Sequence, residues 1–479
     1  MSKTTRILLW LAGWVFFLII AAIGLTALAV GQSRRQLEEY QASLEKRGEH
    51  FDVAALTPPA PPLDGNGAKK LITLGKELGE KIRADEIQPL QTMEEKSPGF
   101  NVVKHHEEKA TVASKPVAWE EIREKFKPLT PLLADIRATS QSPVLEIHPD
   151  YTKGFSMEMA GATESLKTGQ FLAQEGILLL RENNGPAVVA NIQTILRLAN
   201  MTNKQPLLIS SLITASLLGI AQNLTWEWMQ SSVVTEPDLE TLQKAWAEVR
   251  ITPTLIPLWR LERAMAMPYF ESPSFSTFTA SLSAGSTPTI SSLPKSLDEI
   301  LSVGGFFLWA TVYRHADEKQ FLENYQTLID LVPADPLAGP WTPALETSRK
   351  LQAQLNSAGF ERLFSRMIFP TIENATNRII STQAMAHLTV TALALQRCKL
   401  AHGKYPPSLT DLVPGLLPIV PLDPLDGNPL RYQRGNAEGY LLYAIGPDGT
   451  DDNGDATKLS KRRGLLEGKD IVWPQAASR

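Results

Sequence analysis

The sequence predicts a mainly α-helical protein with a single N-terminal transmembrane helix. The body is predicted to be an irregular helical-hairpin bundle or a solenoid-like stack, followed by a small C-terminal α+β module that contains an antiparallel hairpin. Three observations predict this fold. Residues 7–31 carry no charge, apolar residues recur at helical spacing through the centre of the chain, and short β-prone runs alternate with turns after residue 399.

Composition places the chain among folded globular proteins. It has 479 residues, of which 43% are hydrophobic and 20% are charged, so wholesale disorder is excluded. A formal net charge of -4 offers no basic field for phosphates. Nucleic acid is therefore not expected as a partner.

The residues that usually carry catalysis or bind metals form no recognisable motif. The single cysteine, Cys398, excludes an intrachain disulfide and a Cys-based metal site. The seven histidines show no HExxH pattern, and the sequence lacks a GxSxG elbow and a phosphate-binding loop. His315, Asp317 and Glu318 would form a local acid/base group, but their run reads more simply as a charged helix start.

The N-terminal anchor is predicted over residues 1–31. At about 1.5 Å per residue, its apolar run crosses a hydrocarbon core of about 30 Å. Trp10 and Trp14 lie in its first half, near an interfacial belt. A cleavable signal peptide is the alternative, because residues 27–29 have the small-x-small form of a cleavage site. The run is longer than the apolar region of a typical signal peptide, which favours the uncleaved anchor.

The flanking charges leave the orientation open. Arg34 and Arg35, with further basic residues behind them, outnumber Lys3 and Arg6, which favours a cytoplasmic body by the positive-inside rule. A long folded region behind an N-terminal anchor is, however, typical of an exported protein. The choice of an exported body depends on the C-terminal segment described below.

The remaining chain divides into four predicted regions. They are a solvated juxtamembrane helix (32–51), a stiff Pro-rich linker (52–67), a helical body (68–387, with a loop near 271–296) and a C-terminal module (388–479). Within the body, residues 83–117 are polar and irregular, and they are predicted to be partly disordered.

Helical periodicity and helix-start signals define the helices of the body. They are expected at residues 68–82, 119–136, 162–182, 186–200, 207–230, 238–249, 254–267, 297–312, 318–331, 343–357 and 371–402. Residues 205–225 form a second uncharged stretch. Because this stretch contains eight Ser, Thr, Gln or Asn side chains, which are costly in lipid, a buried helix is favoured over a second membrane span.

The C-terminal segment combines a predicted hairpin with four ordered motifs. Residues 430–433 and 439–445 read as paired strands. The motifs are Gly403-Lys404-Tyr405-Pro406, Leu422-Asp423-Pro424 with Gly427-Asn428-Pro429 and Tyr432, Tyr443 to Gly449, and Asp470-Ile471-Val472-Trp473. In this order they resemble the C-terminal part of the major pseudopilin of type II secretion. The resemblance covers about residues 388–475 and implies an exported location in a bacterial envelope.

Two differences separate the chain from a true pseudopilin. It lacks the Gly-Phe-Thr-x-x-x-Glu processing site, and a large helical body separates its anchor from the motifs. Assembly into a pseudopilus is therefore not implied. The whole layout also resembles uncharacterised bacterial membrane-anchored helical proteins.

The resemblance also implies a calcium site. In pseudopilins the loop after this strand binds Ca²⁺, and by position the ligands here would be the Ile445 carbonyl, Asp448 and Asp455, with Asp451 and Asp452 nearby. Hard oxygen ligands in a Gly-rich loop suit Ca²⁺. The alternative is a polar turn that needs no ion.

These observations favour a non-enzymatic, membrane-anchored scaffold or interaction protein of the bacterial envelope. It would contact lipid through its N-terminal helix in the inner membrane, hold its body in the periplasm and bind other envelope proteins. An envelope hydrolase whose catalytic groups converge only in three dimensions is the alternative. A third hypothesis is an atypical component related to type II secretion.

Overall fold

The structure is a computed structural model that describes residues 3–159, 161–273, 304–435, 439–458 and 468–477. Helices form most of it. They are α1 Lys3–Lys46, α2 Val53–Leu56, α3 Ala68–Ala84, α4 Trp119–Phe126, α5 Thr130–Thr139, α6 Ala162–Arg181, α7 Gly185–Asn203, α8 Leu208–Met229, α9 Glu236–Ala247, α10 Leu255–Glu271, α11 Arg314–Asp330, α12 Thr342–Ser357 and α13 Leu363–His402. A π-helical turn, Trp309–Tyr313, precedes α11.

Among the residues that the structure describes, three small sheets complete the fold. The strands are β1 Glu95–Ser97, β2 Phe100–Asn101, β3 Ala110–Val112, β4 Lys115–Val117, β5 Arg431–Arg434, β6 Tyr440–Ile445, β7 Asp470–Val472 and β8 Gln475–Ala476. The sheet orders are β1-β2-β8, β3-β4 and β5-β6-β7. The mainly helical fold class, with an apolar N-terminal helix and small antiparallel sheets near the C-terminus, is thus confirmed.

The chain divides into two compact units. The first contains Met1–Leu56, Trp259–Asp330 and Ser348–Thr371, and the second contains Thr57–Leu258, Leu331–Thr347 and Ile372–Arg479. This division differs from the predicted domains, because the C-terminal module and most of the predicted helical body belong to the same unit.

The helix α1 is continuous from its apolar half into its charged half. Apolar side chains such as Trp10 and Leu28 are exposed, whereas Leu37 and Leu44 are buried against the first unit, where α1 contacts α11. The predicted juxtamembrane helix is therefore present but is not fully solvated. The reason is that two leucines seven residues apart lie on one face of the helix.

Aromatic side chains fill the core of the first unit. Phe270 lies 4.5 Å from Phe364 and 5.3 Å from Phe321, measured between ring centroids. Trp309, from the π-helical turn, stacks on Phe364 at 6.3 Å. These rings bring α10, α11 and the start of α13 together.

The second unit is built around α6, α7 and α8, which contact one another as in a bundle. A Cβ atom on Gly169 or Gly176 of α6 would lie within 2.6 Å of Leu217 or Leu224 of α8, so these glycines permit close packing. The second apolar stretch therefore forms a helix packed on two neighbours, as predicted. Among the described residues, α1 and α8 are the two helices long and apolar enough to cross a membrane.

The segment 83–117 contains regular structure, contrary to the prediction of partial disorder. It forms the hairpins β1–β2 and β3–β4, and β2 pairs in parallel with β8 through Phe100–Gln475 and Asn101–Ala476. The partner strand lies near the other end of the chain. No local pattern in the sequence could therefore indicate this pairing.

The predicted C-terminal hairpin is confirmed. Strands β5 and β6 pair antiparallel from Arg431–Tyr443 to Arg434–Tyr440, and β7 adds a third strand on the other side of β6. The tip of the hairpin, 436–438, lies outside the described residues, as does most of the predicted loop near 271–296.

The C-terminal segment is joined to the rest of the second unit by hydrogen bonds to its backbone carbonyls. The Trp226 Nε1 donates to the Pro474 carbonyl at 2.8 Å, and the Trp341 N–H donates to the Pro424 carbonyl at 3.0 Å. Segment 388–479 is thus an integral part of a larger unit.

Candidate functional site

The motifs that resemble the pseudopilin lie against one another in the structure. The Tyr405 and Tyr440 rings are 4.8 Å apart, and the Tyr432 hydroxyl donates to the Pro406 carbonyl at 2.8 Å. The Trp473 N–H donates to the Leu442 carbonyl on β6. Four segments that are separate in sequence therefore surround one small sheet.

Asp423 connects these segments from a buried position. Its side chain is fully buried and accepts hydrogen bonds from Arg431 Nη1 at 2.5 Å, the Ile445 N–H at 2.8 Å and the Leu425 N–H at 3.0 Å. Burial raises the pKa of Asp423, whereas these hydrogen-bond donors act to lower it. Arg431 also pairs with Asp426, so this guanidinium links β5 to the preceding turn.

Of the predicted calcium ligands, Ile445 is the last residue of β6, whereas Asp448 and Asp455 lie in the loop after it, where protein donors already form hydrogen bonds with their carboxylates. Asp448 accepts from the Thr450 N–H at 3.0 Å, and Asp455 accepts from the Thr457 N–H at 2.9 Å. The Lys469 ammonium lies 3.1 Å from Asp455. Hydrogen bonds from Thr457, together with Lys469, lower the pKa of the Asp455 carboxyl to about 2.

The other acidic residues of this loop also accept hydrogen bonds or lie close to basic side chains. Asp451 accepts from the Tyr443 hydroxyl at 3.1 Å and lies 3.3 Å from Arg431 Nε. Lys469 Nζ lies 3.7 Å from Asp452, and the buried Asp470 accepts from the Gly454 N–H at 2.7 Å. The loop is therefore held in place by bonds within the protein.

This arrangement does not fit a preformed calcium site. Arg431 and Lys469 place two positive charges among the carboxylates that a cation would need. Within the described ranges, no three His, Cys, Asp or Glu side chains are grouped to hold a metal ion. Calcium at Ile445, Asp448 and Asp455 stays a prediction, and it requires Lys469 to leave Asp455.

A second acidic group lies in the first unit, at the start of α11. The buried Asp317 accepts through Oδ2 from Trp309 Nε1 at 2.8 Å and from the Phe364 N–H at 2.9 Å. It thus caps the N-terminus of α13, where a negative charge is favourable. Its other oxygen, Oδ1, is buried and has no hydrogen-bond partner among the described residues. Burial raises the pKa of Asp317.

Glu318 is 5% exposed and accepts a hydrogen bond from Gln41 Nε2 of α1 at 3.2 Å. Burial raises its pKa to about 7, and burial lowers the pKa of the neighbouring His315. A charged helix start does occur here, since α11 begins at Arg314. Its two acids, however, face the protein interior, which the sequence did not indicate.

Two further buried contacts between polar side chains were not predicted from the sequence. Glu49 accepts from Arg260 and from the fully buried Arg263, both at 2.6 Å. In the second unit, His105 Nδ1 lies 2.6 Å from the buried Glu227. The partners are more than a hundred residues apart in each case, so no spacing pattern could reveal them.

Comparison of the chain with known proteins gives no match to a family model, to a curated protein or to a solved structure. The resemblance to the major pseudopilin therefore stays a prediction.

Proposed function

We propose that this protein is a membrane-anchored scaffold of the bacterial envelope, with its folded body outside the cytoplasm. One observation carries the proposal: α1 is a single helix whose first half exposes apolar side chains on its surface and whose second half is built into the first unit. Exposure of these apolar side chains to water is unfavourable, whereas the hydrocarbon core of a membrane accommodates them.

The contacts of α1 explain why the junction would be stiff. Arg47 pairs with Asp330 at 2.6 Å, and the Lys319 ammonium lies 5.4 Å from the centre of the Tyr40 ring. At about 1.5 Å per residue, the buried Leu37 is about 9 Å beyond the end of the apolar run at Gly31. The first unit would therefore sit close to the bilayer surface instead of on a flexible stalk.

The exported location is supported by the C-terminal motifs and can be tested by labelling. Leu63 is 93% exposed and Cys398 is buried, so Leu63→Cys in a Cys398→Ala background provides a single accessible thiol. We expect a membrane-impermeant maleimide to label intact spheroplasts as well as permeabilised ones. Labelling only after permeabilisation would place the body in the cytoplasm.

The scaffold role makes a separate prediction. In mild detergent, the chain from native membranes should migrate in an assembly that contains at least one other envelope protein. Migration as a lone chain in its detergent micelle would contradict the role. If the other proteins are secretion components, the third hypothesis, an atypical part of type II secretion, is favoured by the same experiment.

A hydrolase remains the second candidate because of Asp317 and Glu318. Buried acids with raised pKa values occur often at active sites. If they carry catalysis, the purified protein should hydrolyse some ester, glycoside or peptide substrate, and Glu318→Gln should abolish that activity. The scaffold proposal expects no turnover from either protein.

A further inference from the structure

A short apolar face next to α1 lacks a partner among the described residues. Residues 304–308 are helical and lead into the π-helical turn. The exposed positions are Gly304, Phe307, Leu308 and Thr311, which follow the i, i+3, i+4, i+7 spacing of one helix face. The Phe307 side chain is 60% exposed and that of Leu308 is 44% exposed.

The chemistry of this face suits lipid better than water. The sequence GFFLWATVY from 305 to 313 has no charged residue. The Thr311 hydroxyl donates to the Phe307 carbonyl at 2.7 Å, so its hydrogen-bonding capacity is used within the helix. On the opposite side, Phe306 and Trp309 are buried in the aromatic core, which holds the exposed pair in a fixed position.

The contacts between α11 and α1 indicate which residues of the anchor lie beside this face. Glu318 of α11 accepts a hydrogen bond from Gln41 of α1, and Asp330 at the end of α11 accepts one from Arg47, which directly follows α1. Residue numbers therefore increase in the same direction along both helices, so α1 and α11 run parallel. Phe307 precedes Glu318 by about 16 Å of helix, and the same distance back from Gln41 along α1 reaches Val30. Val30 is at the end of the apolar run, about one helical turn before Arg34 and Arg35.

We propose that Phe307 and Leu308 insert into the lipid at the bilayer surface beside α1, as a second membrane contact of the first unit. The proposal deepens the proposed function and depends on it, since the bilayer is positioned by α1. The occupant is lipid at the boundary of headgroups and acyl chains, because the exposed face is level with the end of the apolar surface of the anchor. Such a shallow contact is typical of interfacial apolar side chains. With two contacts, the first unit would be fixed in its orientation on the membrane.

Depth measurements on the full chain in lipid vesicles test the proposal. Single cysteines at Phe307, Leu308, Ala42 or Leu25 in the Cys398→Ala background would carry an environment-sensitive fluorophore. Quenching by a nitroxide near the top of the lipid acyl chain is compared with quenching by iodide in the buffer. Leu25 serves as the lipid control and the exposed Ala42 of α1 as the water control.

We expect the lipid nitroxide to quench probes at 307 and 308 about threefold more than the probe at Ala42, with weak quenching by iodide. If Leu25 is quenched from the lipid while 307 and 308 are quenched by iodide, the second contact is absent and the anchor stands. Protection of 307 and 308 from both quenchers would show a protein partner there and would also overturn the proposal. If Leu25 itself is accessible to iodide, the proposed anchor fails.

Discussion

Acidic residues occupy two contrasting environments in this protein. In the acidic loop after β6, Asp448 and Asp455 lie near the surface and are engaged by neighbouring amides and by Lys469. In the first unit, Glu49, Asp317 and Glu318 are buried and bonded to residues far away in the chain. Burial raises the pKa values of Asp317 and Glu318, whereas hydrogen bonds and Lys469 lower that of Asp455, so the direction of a shift depends on whether dehydration or protein donors dominate around the carboxylate.

The largest expected effect comes from the buried charges of the first unit. Glu49→Gln leaves the fully buried Arg263 guanidinium without its carboxylate, which should lower the free energy of unfolding by about 3–5 kcal/mol. Denaturant unfolding in detergent measures it. Glu38→Gln, which breaks the exposed pair with Arg34, should cost under about 1 kcal/mol. Equal effects of the two changes would show that burial does not strengthen the dependence of Arg263 on Glu49.

Glu318 should make the stability of the first unit depend on pH. Its pKa is about 7 in the folded protein against 4.5 for the free side chain, so the folded state holds more protons between these values. Stability should therefore fall as pH rises through this window, by at most about 3 kcal/mol from this one group.

Glu318→Gln should remove that dependence. The variant should match the wild type near pH 5 and exceed it in stability at pH 8, as measured by unfolding at both values. Glu323→Gln, which alters the partly buried pair with Lys319 on the same helix, is the control and should keep the wild-type slope. A wild-type slope in Glu318→Gln would show that another group is responsible.

In the acidic loop, removal of a single charge should have a smaller effect. Asp455→Asn keeps the shape of the side chain and loses only an exposed ion pair with Lys469. Its thermal midpoint should lie within a degree or so of the wild type. A large loss of stability would show that this carboxylate has a structural role comparable with that of Asp317.

Addition of Ca²⁺ is expected to give the smallest change in stability, and it tests directly whether the acidic loop binds an ion. If Ca²⁺ displaces Lys469, millimolar Ca²⁺ should raise the thermal midpoint of the full chain slightly. Lys469→Ala should enlarge the response, and the Asp448→Ala, Asp455→Ala double variant should abolish it. No response in either the wild type or Lys469→Ala would leave the loop as a polar turn.

Local signals predicted most of the helical fold. The helices predicted to begin at residues 186 and 238 begin at Gly185 and Glu236, where the Asn184 side chain accepts from the Ala187 N–H and the Thr235 side chain accepts from the Asp238 N–H. The hairpin β5–β6 followed from alternating residues and a turn. Each of these features depends on residues close together in the chain, which is why the sequence was sufficient.

The features that were not predicted all depend on contacts between distant residues. The pairing of β2 with β8, the capping of α13 by Asp317 and the burial of Arg263 against Glu49 have no local signature. For the candidate sites, the resemblance to the pseudopilin pointed to the loop after β6. Asp317 and Glu318 were interpreted as part of a charged helix start, because burial is a property of the folded chain.

The membrane anchor is the central claim, and the intact mass of the protein in carbonate-washed membranes tests it most directly. Alkaline carbonate removes peripheral proteins, so an anchored chain should stay in the membrane pellet. We expect its mass to include the apolar half of α1. Release into the supernatant, or a mass that shows cleavage after Ala29, would contradict the anchor and the proposed position of the first unit at the bilayer surface.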